Sequence, residues 1–236
     1  MKFNLGLIAA LGWLLALPAV AEADKQVVLL HGLARSAGSM HSMAEHLEDN
    51  SYSICNIDYP SRHHHVEILA AEYVLPAIQD CFARGPVNFV THSLGGIIVR
   101  QIAAKHPEII IDRVVMLAPP NQGSEVVDKL GNFGLFNWLN GPAGQQLGTA
   151  ADALPNQLGP VNFELGIIAG NRSINLILSS IIPGSDDGKV AVKRTALDGM
   201  RDFLLVEQTH PFIMSSDEVQ SQTLQFLQTG RFEPTR

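Results

Sequence analysis

The chain alternates short apolar runs with longer stretches in which apolar residues recur at helical spacing. The runs cover 26–30, 52–57, 87–90, 113–117, 165–169 and 203–206. They are apolar at nearly every position, which suits strands buried on both faces of a parallel sheet. Between them the pattern predicts helices over 39–48, 66–82, 97–105 and 217–228. Pro76 is expected to kink or split the second of these, because it lacks an N–H and crowds the preceding turn. Ser215 followed by Glu218 reads as a capping box for the last helix. Val219, Thr223, Phe226 and Leu227 then form its apolar stripe. Strand–helix alternation of this kind implies right-handed crossovers and a three-layer α/β sandwich around a mostly parallel sheet of about six strands.

Two segments break the rhythm. Residues 1–21 begin with Met1-Lys2, continue through an apolar stretch from Leu5 to Leu17, and end in Ala19-Val20-Ala21. That is the layout of a secretory signal peptide, and it predicts export to the periplasm or beyond. The apolar core is short for a membrane span, which takes about 20 residues. The remainder, 22–236, is expected to be a single domain. The second segment, 121–161, is rich in Gly, Asn, Gln and Pro, with dispersed Phe133, Leu135, Phe136, Trp138 and Leu139. It is too long for an ordinary connection, and it reads as a lid-like insertion over an apolar site.

Charge narrows the partners. Removing 1–21 also removes Lys2, so 16 Lys and Arg become 15 against an unchanged 23 Asp and Glu, a balance of −8. Such a chain has no electrostatic footprint for nucleic acid or an anionic membrane. No obligate protein partner is implied; transient contact with a lipid interface fits the apolar insertion. Cys55 and Cys81 allow either a disulfide, given the exported context, or two small buried residues.

The chemistry concentrates around Val87-Asn88-Phe89-Val90-Thr91-His92-Ser93-Leu94-Gly95-Gly96, where an apolar strand runs into a serine and then a helix. A serine at such a turn has its hydroxyl exposed beside a helix N-terminus, as an acyl-transfer nucleophile requires. The hydroxyl needs a histidine base, and the histidine needs a carboxylate. In open α/β sheets both come from loops at the carboxyl ends of strands. The run at 165–169 is followed by Asp186-Asp187, and the run at 203–206 by His210. The order Ser93, Asp187, His210 is that expected of a hydrolase of this class. Oxyanion donors are assigned to the backbone N–H groups of Leu33 and Leu94. His31 and His92, beside these positions, are read as supports for the loops. His63-His64-His65 cannot converge on one ion from a helix, so no metal site is assigned, and the mechanism needs no cofactor. Substrate-binding residues stay unassigned.

His31-Gly32, Thr91-His92-Ser93-Leu94-Gly95, Ala118-Pro119-Pro120-Asn121-Gln122-Gly123-Ser124, Asp187-Gly188-Lys189-Val190 and His210 together resemble the signature blocks of bacterial α/β-hydrolase lipases and esterases. The resemblance runs from residue 26 to about 228 and implies the reduced form of the fold, without the antiparallel strands at its start. It also favours Asp187 over Asp186, because the family's catalytic aspartate directly precedes the glycine. Thr91 stands where the family pattern Gly-x-Ser-x-Gly has its first glycine. The implied activity is serine carboxylic-ester hydrolysis through an acyl-enzyme, on a small-molecule or lipid ester. An acyltransferase or thioesterase with the same triad, and a catalytically silent binding or folding-helper protein, are the rival readings.

Overall fold

Six strands form one sheet in the order β2-β1-β3-β4-β5-β6, and every neighbouring pair is parallel. They are β1 (Gln26–Leu30), β2 (Ser53–Ile57), β3 (Val87–His92), β4 (Ile111–Leu117), β5 (Glu164–Gly170) and β6 (Asp202–Val206). The computed structural model describes residues 25–82, 85–131 and 133–234, and the expected signal peptide lies outside them. Among the described residues, no helix is long and apolar enough to cross a membrane.

The near-continuous apolar runs are explained by burial on both faces. Along β1, Val28 and Leu30 join one core cluster while Val27 and Leu29 join the other. This is the two-residue period of a strand in the middle layer of a sandwich. One face is covered by a helical segment over 66–81, here α2, and by α3 (Leu94–Lys105). The other is covered by α1 (His41–Asp49) and by the C-terminal helix, Asp217–Thr229.

Pro76 acts as expected, by an identifiable device. The segment is α-helical at Val66–Ile68, π-helical at Leu69–Val74 and α-helical again at Leu75–Cys81. The wider π turn stands where the proline ring would crowd the carbonyl four residues back. The capping box does not form. Ser215 closes a 3₁₀ turn, Ser216 takes the N-cap without a side-chain bond, and Asp217 and Glu218 place carboxylates in the first turn. Those charges suit the positive end of the helix without the reciprocal bonds of a box. Helix α3 starts three residues earlier than the pattern implied, directly after Ser93.

The insertion is helical rather than irregular. It carries α4 (Glu125–Leu130), α5 (Gly134–Gln145, broken at Gly141) and α6 (Leu154–Gln157). The side chains of 135–139, which hold most of its expected aromatics, lie outside those described; Phe133 is exposed. Its two ends are tied to one buried side chain. Arg100 donates to the carbonyls of Asn121 (2.9 Å), Pro155 (2.8 Å) and Gly159 (2.9 Å). Burial pulls that guanidinium down to about 10. Beyond it lie α7 (Leu176–Ser179), α8 (Val192–Thr195) and, last, α9, the C-terminal helix.

Cys55 of β2 and Cys81 at the end of α2 are joined in a disulfide across a separation of 26 residues. Closing a loop of that size in the unfolded chain is worth about 3 kcal/mol. The Cys55→Ala/Cys81→Ala protein should therefore lose about 3 kcal/mol in urea unfolding relative to the oxidised chain. A loss below about 0.5 kcal/mol would show that the bridge does not constrain the unfolded state.

Candidate active site

The centre of the sheet delivers Ser93. Strand β3 runs through His92, and Ser93 then turns at φ 52° and ψ −115° before α3 begins. Its N–H donates to the Leu117 carbonyl of β4 (2.9 Å). A positive φ at a side-chain-bearing residue is strained and persists only where its surroundings enforce it. Gly95 is part of that enforcement. A Cβ there would lie 2.6 Å from the Leu30 carbonyl oxygen, so only glycine lets α3 approach β1 this closely. Thr91 is accommodated because it is a buried strand residue paired with Leu30 and Met116, upstream of the turn itself.

The loops after β5 and β6 bring the other two predicted residues to the same place. His210 Nε2 lies 3.0 Å from Ser93 Oγ, and its Nδ1 lies 2.7 Å from Asp187 Oδ2. All three residues are buried. The other Asp187 oxygen, Oδ1, accepts from the backbone N–H groups of Lys189 (3.0 Å) and Val190 (2.9 Å). The backbone N–H of His210 donates to the Asp187 carbonyl (2.9 Å). Asp186 is engaged elsewhere, accepting from Ser179 Oγ (2.6 Å) and the Gly188 N–H (2.7 Å). The adjacent aspartates are thus separated by geometry: one faces the imidazole, the other closes its own turn.

The two neighbouring histidines hold loops. His92 Nε2 donates to the carbonyl of His210 (3.0 Å), and a carbonyl can only accept, so the proton sits on Nε2. Its Nδ1 is buried with no partner among the described residues. Gly32 lies against that ring: a Cβ there would come within 2.6 Å of His92 Nδ1. Close approach, rather than a special φ, is what requires the glycine. His31 Nδ1 donates to the Gly32 carbonyl (2.9 Å), its Nε2 accepts from the Tyr59 N–H (3.3 Å), and its ring stacks on Tyr59 at 4.0 Å. The Tyr59 hydroxyl donates to the His31 carbonyl, and the Ala34 N–H donates to Ser61 Oγ (3.1 Å). The loop after β1 is thereby fastened to the loop after β2. Of the His63–His65 tract, His64 Nε2 bonds the Tyr73 hydroxyl at 2.9 Å.

Two cavities meet at Ser93. The larger, about 190 Å³, is lined by Leu33, Ser93 and His210 and walled by Ile174 and Leu178. The smaller, about 40 Å³, is lined by Leu33, Ser93 and Lys189 and walled by Val126, Val127 and Leu147 of the insertion. Leu94 begins α3, where the first N–H groups have no intrahelical partner. Sequence reasoning missed the 174–178 wall, Arg35 and Lys189. The first left a signal, an apolar cluster Ile174-Asn175-Leu176-Ile177-Leu178 outside any predicted element; the two cations left none.

Both loop histidines are held neutral. Burial pulls His31 below the ordinary 6.5. Burial, then the nearby His210 and Arg35, pulls His92 well below it. In the unfolded chain both revert to the ordinary value, so below about pH 6.5 the unfolded chain binds protons that the folded chain does not. The stability is fully present above that point and is lost as pH falls toward the depressed folded values. The urea midpoint should thus drop between about pH 7 and about pH 5, and His92→Gln should make the drop shallower. An equal midpoint at both pH values would contradict this.

Comparison with known proteins agrees with the architecture. The family model described as the alpha/beta hydrolase fold matches residues 25–160, more than half of the chain. No curated protein sequence matches. Among solved structures, the mature form of the Bacillus licheniformis lipase BlEst2 is similar at 21% identity and TM-score 0.68, covering 87% of this chain and 93% of that one. A metagenomic carboxyl esterase, MGS0156, is similar at 17% identity and TM-score 0.63, covering 82% and 67%. The phospholipase PlaB from Legionella pneumophila is similar at 20% identity and TM-score 0.59, covering 72% and 45%. On its sequence blocks, its all-parallel six-stranded sheet and this family match, the chain belongs to the α/β-hydrolase-fold family, with bacterial lipases and esterases as structural neighbours.

Proposed function

We propose that this chain is an exported serine hydrolase that cleaves carboxylic esters, of lipase or esterase type. The observation that carries the reading is the continuous hydrogen-bonded path from Asp187 through His210 to Ser93, with links of 2.7 and 3.0 Å. In this mechanism Ser93 Oγ attacks the ester carbonyl carbon as His210 Nε2 takes its proton. Asp187 fixes the tautomer with the proton on Nδ1 and stabilises the imidazolium. The Leu33 and Leu94 N–H groups receive the oxyanion, each worth about 3 kcal/mol in the transition state. The intermediate then collapses, the C–O bond to the alcohol breaks, and His210 returns the proton to the leaving oxygen. Water, deprotonated by the same nitrogen, attacks the acyl-enzyme and restores Ser93.

The cavities support an assignment of halves. The leaving oxygen must lie near His210, which lines the larger cavity and not the smaller. The alcohol therefore occupies the larger cavity. The acyl chain enters the apolar one, with the 121–161 insertion as its cover. The lipase and esterase names of the structural neighbours support an ester substrate. Export is supported by the apolar leader-like segment and by the Cys55–Cys81 bridge, since disulfides persist in oxidising compartments.

Ser93→Ala should leave the fold intact, lower p-nitrophenyl ester turnover by about 10⁴-fold or more, and abolish labelling by a fluorophosphonate. Asp187→Asn should lower kcat by about 10⁴-fold, whereas Asp186→Asn should lower it far less. Full activity in Ser93→Ala, or a larger loss from Asp186→Asn than from Asp187→Asn, would refute the assignment.

A further inference from the structure

The mechanism leaves two cations of the larger cavity without a task. Arg35, in the loop after β1, and Lys189, two residues after Asp187, both line the space above Ser93 and His210, and Lys189 also borders the smaller cavity where the two meet. The chain is acidic overall, and its other arginines are largely engaged: Arg113 and Arg201 on Glu164, Arg172 on Glu207, Arg194 on Glu125, and Arg100 on carbonyls. Among the described residues no carboxylate forms an ion pair with either Arg35 or Lys189.

Arg35 is held in place rather than loose. Its Nη2 donates to the Pro211 carbonyl (3.0 Å), which bridges the loops after β1 and β6 across the cavity mouth. That bond uses one N–H of five and leaves the rest of the fork available. Lys189 is half-buried, and its ammonium is pulled below the usual lysine value by burial and by the charge of Arg35, against the opposing pull of Asp187. Two like charges that line one cavity repel each other, and an anion bound by both removes that repulsion. A planar guanidinium and a compact ammonium together match the oxygens of a phosphate.

We propose that the larger cavity recognises an ester whose alcohol half carries a phosphate, with Arg35 and Lys189 binding the phosphate oxygens. The inference rests on the assignment of the leaving alcohol to the His210 side. The surrounding surface fits the same class. Ile174 and Leu178 wall the cavity, while Leu176 and Ile177 stand 78% and 81% exposed beside them. Apolar walls around a cationic centre suit an amphiphilic alcohol, not a simple aliphatic one.

The test compares 1-hexanoylglycerol 3-phosphate with 1-hexanoylglycerol, which share the acyl group and the scissile bond, both kept monomeric. The phosphate ester should be favoured in kcat/KM by about tenfold or more, and Lys189→Gln and Arg35→Gln should each bring the ratio below about three. A wild-type ratio near one, or a ratio that both variants leave intact, overturns the inference. Arg35→Gln alters an exposed side chain, so it decides the matter should Lys189→Gln fail to fold. A second arm presents phosphatidic acid and diacylglycerol in vesicles of ether-linked phosphatidylcholine. Given the monomer preference, one that persists in vesicles assigns a lipid headgroup, and one that is lost there assigns a soluble phosphate ester. Calorimetry on Ser93→Ala separates this from the hydrolase reading. It should bind the phosphate ester about tenfold more tightly than the neutral one, whatever the wild type cleaves. Equal affinities there overturn the inference and leave ester hydrolysis standing.

Discussion

The site depends on one strained turn. Ser93 holds a positive φ that costs about 1–3 kcal/mol for a residue with a side chain. That cost is offset by the elements on either side. Its N–H is fastened to Leu117, β3 is buried at every position, and α3 lies against Leu30 where Gly95 leaves room. The turn lifts the hydroxyl out of the sheet at the point where the two cavities meet. Without it, α3 would leave the strand at another angle and its N-terminus would not adjoin the serine.

Everything else is brought to that turn by topology. In a sheet whose strands all point the same way, the loops at their carboxyl ends share one edge, and the functional groups gather there. Strand β3 supplies Ser93, β5 leads to Asp187 and β6 to His210, while β1 leads into Gly32 and Leu33. Backbone bonds then refine what topology places. The Asp187 carboxylate is oriented by two N–H groups of its own turn, and the His210 backbone is held from both sides by the Asp187 carbonyl and by His92. These groups are buried, so the orientation is set before any substrate arrives. In the proposed mechanism this spares the cost of aligning the imidazole as the reaction proceeds.

The sheet and the three central residues were legible in the sequence because each left a local mark. Strands buried on both faces read as unbroken apolar runs, and the serine lies between such a run and a helix. Asp187 was separable from Asp186 only through resemblance; the physical reason, the Asp186 bonds to Ser179 and Gly188, lies in how the 179–188 loop folds on itself, which no residue pattern there announces. The capping box at Ser215 failed because a 3₁₀ turn occupied that serine. Arg100 shows the limit well. It is a charged residue inside an apolar helix, and nothing local says that it anchors both ends of the 121–161 insertion. Arg35 and Lys189 were equally silent, since 154 positions separate them and only the sheet brings them to one cavity.

If the site works as proposed, Ser93 and His210 act as one unit rather than as two independent aids. A kinetic double-mutant cycle with Ser93→Ala, His210→Ala and the double variant on one ester substrate measures this directly. The double variant should be no slower than either single one, because removing either partner already disables the pair. Losses that multiply in the double variant would contradict it.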